Sequence, residues 1–502
     1  MEFIKNFPFL TIVLSLFCAV VAYALKGKRA RFATYFLLIS GAFMSVSVIV
    51  YNLTSEPGYF VYRMGHYDAP IGNEISAGLL EPFFALLFEV VILFSIIGGR
   101  NRIFTDAAED KQKFFYVMVN LCHAALVSLC YTNDIFTAYV FVEICTIASC
   151  SLLMVRSSGR SLIAATRYMI FSLIGSGFLL IGIILLYSIT GHLLLPNLYE
   201  AVKLLWAGGE YTLPLTVSIG LMVSGLAVKS GLFPFHFWMP DTYGTATPAA
   251  SAILSGVISK GYIFLLLKLI FRVIGFDVFL ASGVQNILFV FGIFGMVFGS
   301  VSAIRAKNIN FMVAFSSAAQ IGYIYMGLGL GTRAAVLASL FQIISHSLTK
   351  SMLFLSSGGL CDTVDGRQDF ASLRSSAHKN IFAGASFLVG SLSMVGIPMF
   401  LGFVPKLLFS LSAFGHGAKT YFVLIALAVS TILNVMYFLR TVLVIYSPMD
   451  EAGNKARVKF SAIVPFAVSM LVFAVLNVAV GINSQPFLSL LEKGLELFIR
   501  LR

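Results

Sequence analysis

The stretch Leu213-Pro-Leu-Thr-Val-Ser-Ile-Gly-Leu-Met-Val-Ser-Gly-Leu-Ala-Val-Lys229-Ser-Gly-Leu-Phe-Pro234 is an apolar run that ends in a lysine and a glycine–proline break. A hydrocarbon core of about 30 Å takes about 20 apolar residues per helical span, and this run is long enough. A lysine at the centre of such a span costs roughly 2.5 to 3.5 kcal/mol on insertion scales. Glycine and proline free backbone groups from the helical ladder, and at membrane depth those groups need protein or water partners. The stretch therefore predicts a broken membrane helix beside a hydrated, protein-lined interior.

Similar apolar runs fill the chain, near 7–25, 32–52, 78–98, 114–131, 135–155, 164–189, 213–233, 246–271, 278–303, 310–330, 334–356, 381–411, 420–445 and 462–482. Of 502 residues, 59% are hydrophobic and 11% charged, against about 25% charged in a soluble protein. The expected fold is an all-α polytopic membrane protein of about fourteen transmembrane helices. The twelfth run is also broken, at Gly396-Ile-Pro398 and Gly402-Phe-Val-Pro405-Lys406. Lys229 lies 115 residues after position 114, and Lys406 lies 128 after position 278. This spacing predicts two five-helix repeats, helices 4–8 and 9–13. Five is odd, so consecutive copies insert inverted, with sites at broken helices 7 and 12. The expected divisions are 1–110 for helices 1–3, 111–275 and 276–447 for the repeats, and 448–502 for helix 14 and a short tail. In the tail, Phe487, Leu490, Leu491, Leu495 and Phe498 recur at helical spacing, which predicts a helix lying in the membrane interface.

The net charge of +12 is scattered through loops and forms no single stripe, so it does not indicate nucleic acid. Basic residues concentrate in odd-numbered loops, including Lys26, Lys28, Arg29 and Arg31, then Arg100, Arg102, Lys111 and Lys113, and later Lys455, Arg457 and Lys459. The positive-inside rule then places both termini outside the cell's inner (cytoplasmic) membrane. Five of six cysteines lie in apolar runs and none forms a CxxC pair, so no iron–sulfur or zinc site is expected. No nucleotide-binding or metalloprotease motif is present, and no metal or other cofactor is implied.

The apolar runs hold Glu143, Lys229, Lys260, Lys350 and Lys406. Facing lipid, these would cost on the order of 10 kcal/mol together, so they are expected to face inward. Lys350 and Lys406 have snorkelling to the interface as an alternative. For Glu143 and Lys229 the alternative is a static ion pair. His346 is four residues before Lys350 and shares its helix face, which makes it a relay candidate. His123 has no such neighbour in the sequence and reads as packing. A row of buried bases with water between them is a proton wire that needs no cofactor, because moving a carboxylate away from a lysine changes how firmly the proton is held.

At these residues the chain resembles the antiporter-like subunits shared by respiratory complex I, multi-subunit Mrp-type sodium/proton antiporters and membrane-bound energy-converting hydrogenases. The resemblance rests on Asn133-Asp-Ile-Phe-Thr-Ala-Tyr-Val-Phe-Val-Glu143, on Ala165 to Ser176, on Lys229-Ser-Gly-Leu-Phe-Pro-Phe-His-Phe-Trp-Met-Pro-Asp241 and Ser251 to Gly256, and on Ala314 to Gly322. It continues through Ser345-His-Ser-Leu-Thr-Lys350 and Gly396 to Lys406. It implies the fourteen-helix core of two inverted repeats and a Glu143–Lys229 pair. It further implies a connecting Lys260 and a second-half site at Lys350 and Lys406. Arg167 replaces a usual lysine and, as a fixed charge, would at most bias Glu143. Gln342 replaces a histidine found in some relatives. Lys406 resembles the antiporter D-type, hydrogenase and complex I N-type subunits rather than the relatives with glutamate there, and the segment Tyr62 to Gly72 resembles the D-type.

The expected function is an antiporter-like, proton-translocating subunit of a multi-subunit complex, with sodium/proton exchange left open and other membrane subunits as partners. The chain carries no redox or hydrolytic site of its own. Oxidoreductase status would therefore come from its host, an antiporter, quinone reductase or hydrogenase. The alternatives are a stand-alone secondary transporter of a small solute, and a haem- or quinone-holding membrane protein, which would need paired histidines on facing spans.

Overall fold

The computed structural model describes residues 2–67, 72–156, 158–448 and 460–501. Part of the Tyr62 to Gly72 segment, and the loop holding Lys455, Arg457 and Lys459, lie outside the described residues. The chain is an all-α polytopic membrane protein. Twelve described helices are long and apolar enough to cross a membrane, beginning with Glu2–Ala24 and ending with Ile463–Ile482.

Two further expected spans fall short of that measure for evident reasons. The eleventh is the 29-residue helix Arg333–Cys361, whose middle holds Gln342, Ser345, His346, Ser347, Thr349, Lys350 and Ser351. The twelfth is split into Ile381–Val395 and Phe403–Ala413. The seventh span is split as well, into Thr212–Ser230 and Trp238–Thr245. Both first halves stop at a glycine in the left-handed region, Gly231 with φ 79° and Gly396 with φ 87°. Each glycine N–H donates back into the last turn, Gly231 to Ala227 at 3.0 Å and Gly396 to Ser393 at 2.9 Å. A Cβ is disfavoured at such a φ, so glycine ends these helices cleanly and the following proline prevents their continuation.

The eighth span, Pro248–Ile274, lies at the centre, and its membrane-crossing window is wholly buried. A helix mostly apolar all round suits that position, and its polar exceptions, among them Ser255, Ser259, Lys260, Lys268 and Arg272, are buried inside the protein. It is not regular: Leu254–Ile258 and Leu269–Ile274 are π-helical. These wide turns flank the stretch that carries Lys260 and Lys268.

The seventh span reaches its place because it crosses the sixth, Gly159–Thr190, at Gly225 and Gly175. A Cβ on Gly225 would stand 2.5 Å from the Gly175 carbonyl oxygen and 2.7 Å from the Leu179 nitrogen. Backbone atoms cannot swing aside as a side chain does. Gly225→Ala is expected to push the two spans apart and destabilise the protein by about 1–3 kcal/mol. A thermal melt of the detergent-solubilised protein measures this, and an unchanged midpoint would show that the crossing adjusts freely.

Three elements differ from expectation or have no counterpart in it. An antiparallel hairpin pairs Phe60–Arg63 with Glu74–Ala77. A helix, Leu195–Gly208, follows the sixth span, with Leu198, Tyr199 and Val202 buried. The tail helix Gln485–Arg500 does form, but its apolar face is docked on the protein: Leu491, Leu495, Leu497 and Phe498 are buried. The Phe498 ring lies 5.8 Å from that of Phe264 and beneath the Arg272 guanidinium.

Candidate functional site

Glu143 lies on the fifth span, Ile135–Met154, half-buried, with Oε1 shielded from solvent and unbonded. Lys229 is in the last turn before the first break, 1% exposed. The two do not form a direct ion pair. The Lys229 ammonium donates to Thr146 Oγ1 at 2.7 Å, a residue three positions after Glu143 on the same helix. The Thr146 hydroxyl itself donates to the Val142 carbonyl at 2.8 Å, so it meets Lys229 as an acceptor. Glu143 remains within Coulomb range of the ammonium, and the Tyr262 ring lies 5.5 Å from it.

Lys260 is fully buried on the eighth span. Its ammonium donates to the Ser255 carbonyl, within the first π-helical turn, and to Ser259 Oγ at 3.1 Å. His346 is fully buried on the eleventh span, with both ring nitrogens unbonded. It stands within Coulomb range of both Lys260 and Lys350. Lys350 is also fully buried, and its ammonium turns to the tenth span, donating to the Val313 carbonyl at 3.1 Å and to Ser316 Oγ. One turn before His346, Gln342 donates to Gln320 Oε1 at 2.7 Å and bridges the tenth and eleventh spans.

Lys406 opens the second half of the broken twelfth span. Its ammonium donates to the Met394 carbonyl at 3.1 Å, the Val395 carbonyl at 2.7 Å and Thr431 Oγ1 at 3.2 Å. Those carbonyls end the first half-helix beyond the reach of its own N–H groups, where the helix dipole is negative, and Asn434 also donates to the Met394 carbonyl at 3.2 Å. Both ammoniums bond the protein itself: Lys406 caps a helix end, and Lys350, fully buried, is held by the tenth span.

Arg167 is 59% exposed and paired with Asp241, which leaves less of its charge to bias Glu143. His123 is not simple packing, because its Nε2 stands 3.5 Å from Glu89 Oε1 with both side chains fully buried.

Among the described residues, four further charges with no exposed surface lie outside the set expected from the sequence. Glu81 and Glu89 sit in the third span, Leu80–Asp106, and Lys268 and Arg272 near the end of the eighth. Glu81, Glu89 and Lys268 each lie inside an apolar run and carry the same insertion cost as the other lysines. Arg272 bonds Glu81 Oε1 at 3.3 Å, Ser76 Oγ at 2.9 Å, Asn133 Oδ1 at 2.6 Å and the Leu501 carbonyl at 3.0 Å. These bonds tie the hairpin, the third and eighth spans, the start of the fifth and the tail together. Arg272→Ala would strand Glu81 and is expected to cost about 3–5 kcal/mol of stability, read as lost assembly on a native gel. Normal assembly would show the clamp to be dispensable.

Broken helices around a fully buried central span, with lysine ammoniums bonded to hydroxyls and carbonyls along the interior, define a membrane protein of the buried-lysine, ion-transporter type. Residues 132–434 match the family described as NADH:quinone oxidoreductase/Mrp antiporter, TM, and the chain belongs to that family. It is 30% identical over 448 residues to NADH-quinone oxidoreductase subunit N of Desulforudis audaxviator, covering 87% of this chain and 86% of that one. It is 26% identical over 395 residues to the D-type subunit of the Na(+)/H(+) antiporter of Alkalihalophilus pseudofirmus, covering 78% and 76%. Among solved structures, a chain of the archaeal membrane-bound sulfane sulfur reductase shares the fold with a TM-score of 0.87 at 24% identity, covering 99% of this chain and 98% of that one. A chain of the Mrp complex from Dietzia sp. DQ12-45-1b does so with 0.84 at 21%, covering 98% and 97%.

Proposed function

We propose that this chain is an antiporter-like subunit that moves protons across the cytoplasmic membrane through Glu143, Lys229, Lys260, His346, Lys350 and Lys406. The observation that carries this reading is the identity of the partners: Lys229, Lys260, Lys350 and Lys406 are bonded to hydroxyls and backbone carbonyls. An ammonium locked to a carboxylate cannot lose its proton without stranding a buried anion. An ammonium held by neutral groups leaves only neutral groups behind, and a returning proton finds the same acceptors waiting.

Glu143 supplies the variable term. Drawing a carboxylate from about 4 to 8 Å away from an ammonium weakens their attraction by about 2 kcal/mol at an effective dielectric near 20, or about thirtyfold in proton affinity. Movement of the fifth span against the broken seventh would therefore load or unload Lys229, with Lys260 and His346 passing the charge toward Lys350 and Lys406. In this reading residues 111–275 and 276–447 are two five-helix units inserted with opposite orientation, and both termini lie outside. Other membrane subunits supply the driving force. Transport of a small solute by the chain alone is disfavoured, because the lysines at both breaks spend their hydrogen bonds on the protein itself.

Glu143→Gln tests the switch. It keeps the shape of the side chain and removes its charge, and is expected to slow proton transport about tenfold or more in vesicles holding the whole complex. Dye quenching measures the flux, and a wild-type rate would remove Glu143 from the mechanism.

A further inference from the structure

A second line of buried polar groups runs apart from the lysine row, across the first, third and fourth spans. Ser15, Glu89 and His123 are fully buried. Ser15 Oγ lies 2.8 Å from His123 Nδ1, and it donates to the Thr11 carbonyl at 2.5 Å. A serine hydroxyl has one proton. With that proton committed to Thr11, Ser15 meets the imidazole as an acceptor, so Nδ1 carries a hydrogen. In the neutral ring, Nε2 is then a bare lone pair, and it faces Glu89 Oε1 at 3.5 Å. A carboxylate against a bare ring nitrogen would oppose two acceptors in a site walled off from solvent. One proton must therefore belong to the pair, on Oε1 or on Nε2.

The surroundings do not lock it. Among the described residues neither Glu89 oxygen has a close hydrogen-bond partner, and both side-chain polar atoms of Asn120, one turn before His123 on the same helix, are buried and unbonded. Ser45 of the second span also faces Glu89. The other titratable groups within Coulomb range of Glu89 are Tyr131 and Cys130 at the end of the fourth span, and no described lysine or arginine pairs with it.

We infer that Glu89 and His123 form a second proton-carrying site, holding one exchangeable proton between Oε1 and Nε2, with Ser15 as the residue that sets the imidazole tautomer. In one form Glu89 is a carboxylic acid and His123 is neutral; in the other the O–H bond has broken, the N–H bond has formed, and a carboxylate faces an imidazolium. Uptake and release of this proton join the N-terminal helices to the fourth span, within the first five-helix unit. The inference rests on the proton-transport reading above.

The test uses the whole complex reconstituted in vesicles, with infrared difference spectra recorded as it turns over and proton flux recorded in parallel. A carboxylic-acid carbonyl band is expected in the wild type, absent in Glu89→Gln and shifted in His123→Gln. Each single variant is expected to lose flux about tenfold, and the double variant to lose no more than either, because one shared proton is removed in all three. Wild-type flux in Glu89→Gln overturns the inference, as does a difference spectrum in which no band belongs to Glu89. If Glu89→Gln does not assemble, Ser15→Ala decides. It frees the tautomer, so a shifted Glu89 band with slowed flux supports the site, and an unchanged band and rate overturn it. Lys229→Ala is run alongside: its failure to stop transport would sink the lysine row, whereas normal flux in the Glu89 variant alone would sink only this second site.

Discussion

Lys229→Ala is expected to leave the complex assembled and to cut proton transport by about a hundredfold or more. Lys229 sits in the last turn before the first helix break, 1% exposed, and its ammonium is held by Thr146 beside Glu143. Alanine removes the proton carrier and leaves Thr146 Oγ1 with only the Tyr262 hydroxyl, 3.4 Å away, as a side-chain partner. The truncation also opens a cavity, which costs about 2–5 kcal/mol at a buried site of this size. Lys229→Met fills most of that volume without a titratable group and separates the two effects. Both variants should lose transport, with methionine closer to wild type in stability. Dye-quenching flux and a native gel read the two quantities independently. Transport that survives in either variant would mean that Lys229 serves only to join the fifth and seventh spans.

The second large effect is expected at Lys406, where structure and mechanism make different demands on one ammonium. As a cap it satisfies the Met394 and Val395 carbonyls at the end of a half-helix. Arginine can do the same, since its guanidinium offers several N–H donors and a permanent positive charge to the negative helix end. As a proton carrier Lys406 must become neutral in each cycle, and an arginine, whose guanidinium keeps its proton in proteins, does not. Lys406→Arg is therefore expected to assemble normally and to transport about tenfold or more slowly, with Lys406→Ala no better. If the arginine variant transports normally, Lys406 is a cap and the second-half site reduces to Lys350 with His346. Assembly that fails in the alanine variant alone would assign the cap its structural share without touching the proton argument.

What the sequence determined by itself was the medium and the inward-facing charges. Insertion cost depends on the composition of one run at a time, so runs of about twenty apolar residues, their two glycine–proline breaks, and Lys229, Lys260, Lys350 and Lys406 within them were legible from the chain alone. The same rule, applied evenly, reaches Glu81, Glu89 and Lys268 as well. Pairing was decided only by the tertiary structure. Thr146 rather than Glu143 meets Lys229, Asp241 draws Arg167 to the surface from 74 positions away, and Glu89 finds His123 from a different span. The tail helix likewise had an apolar face in the sequence, but which surface covered it depended on the third and eighth spans. A hydrogen bond requires donor and acceptor within about 3 Å and in line, and between spans that distance is set by how helices cross, which no single run encodes.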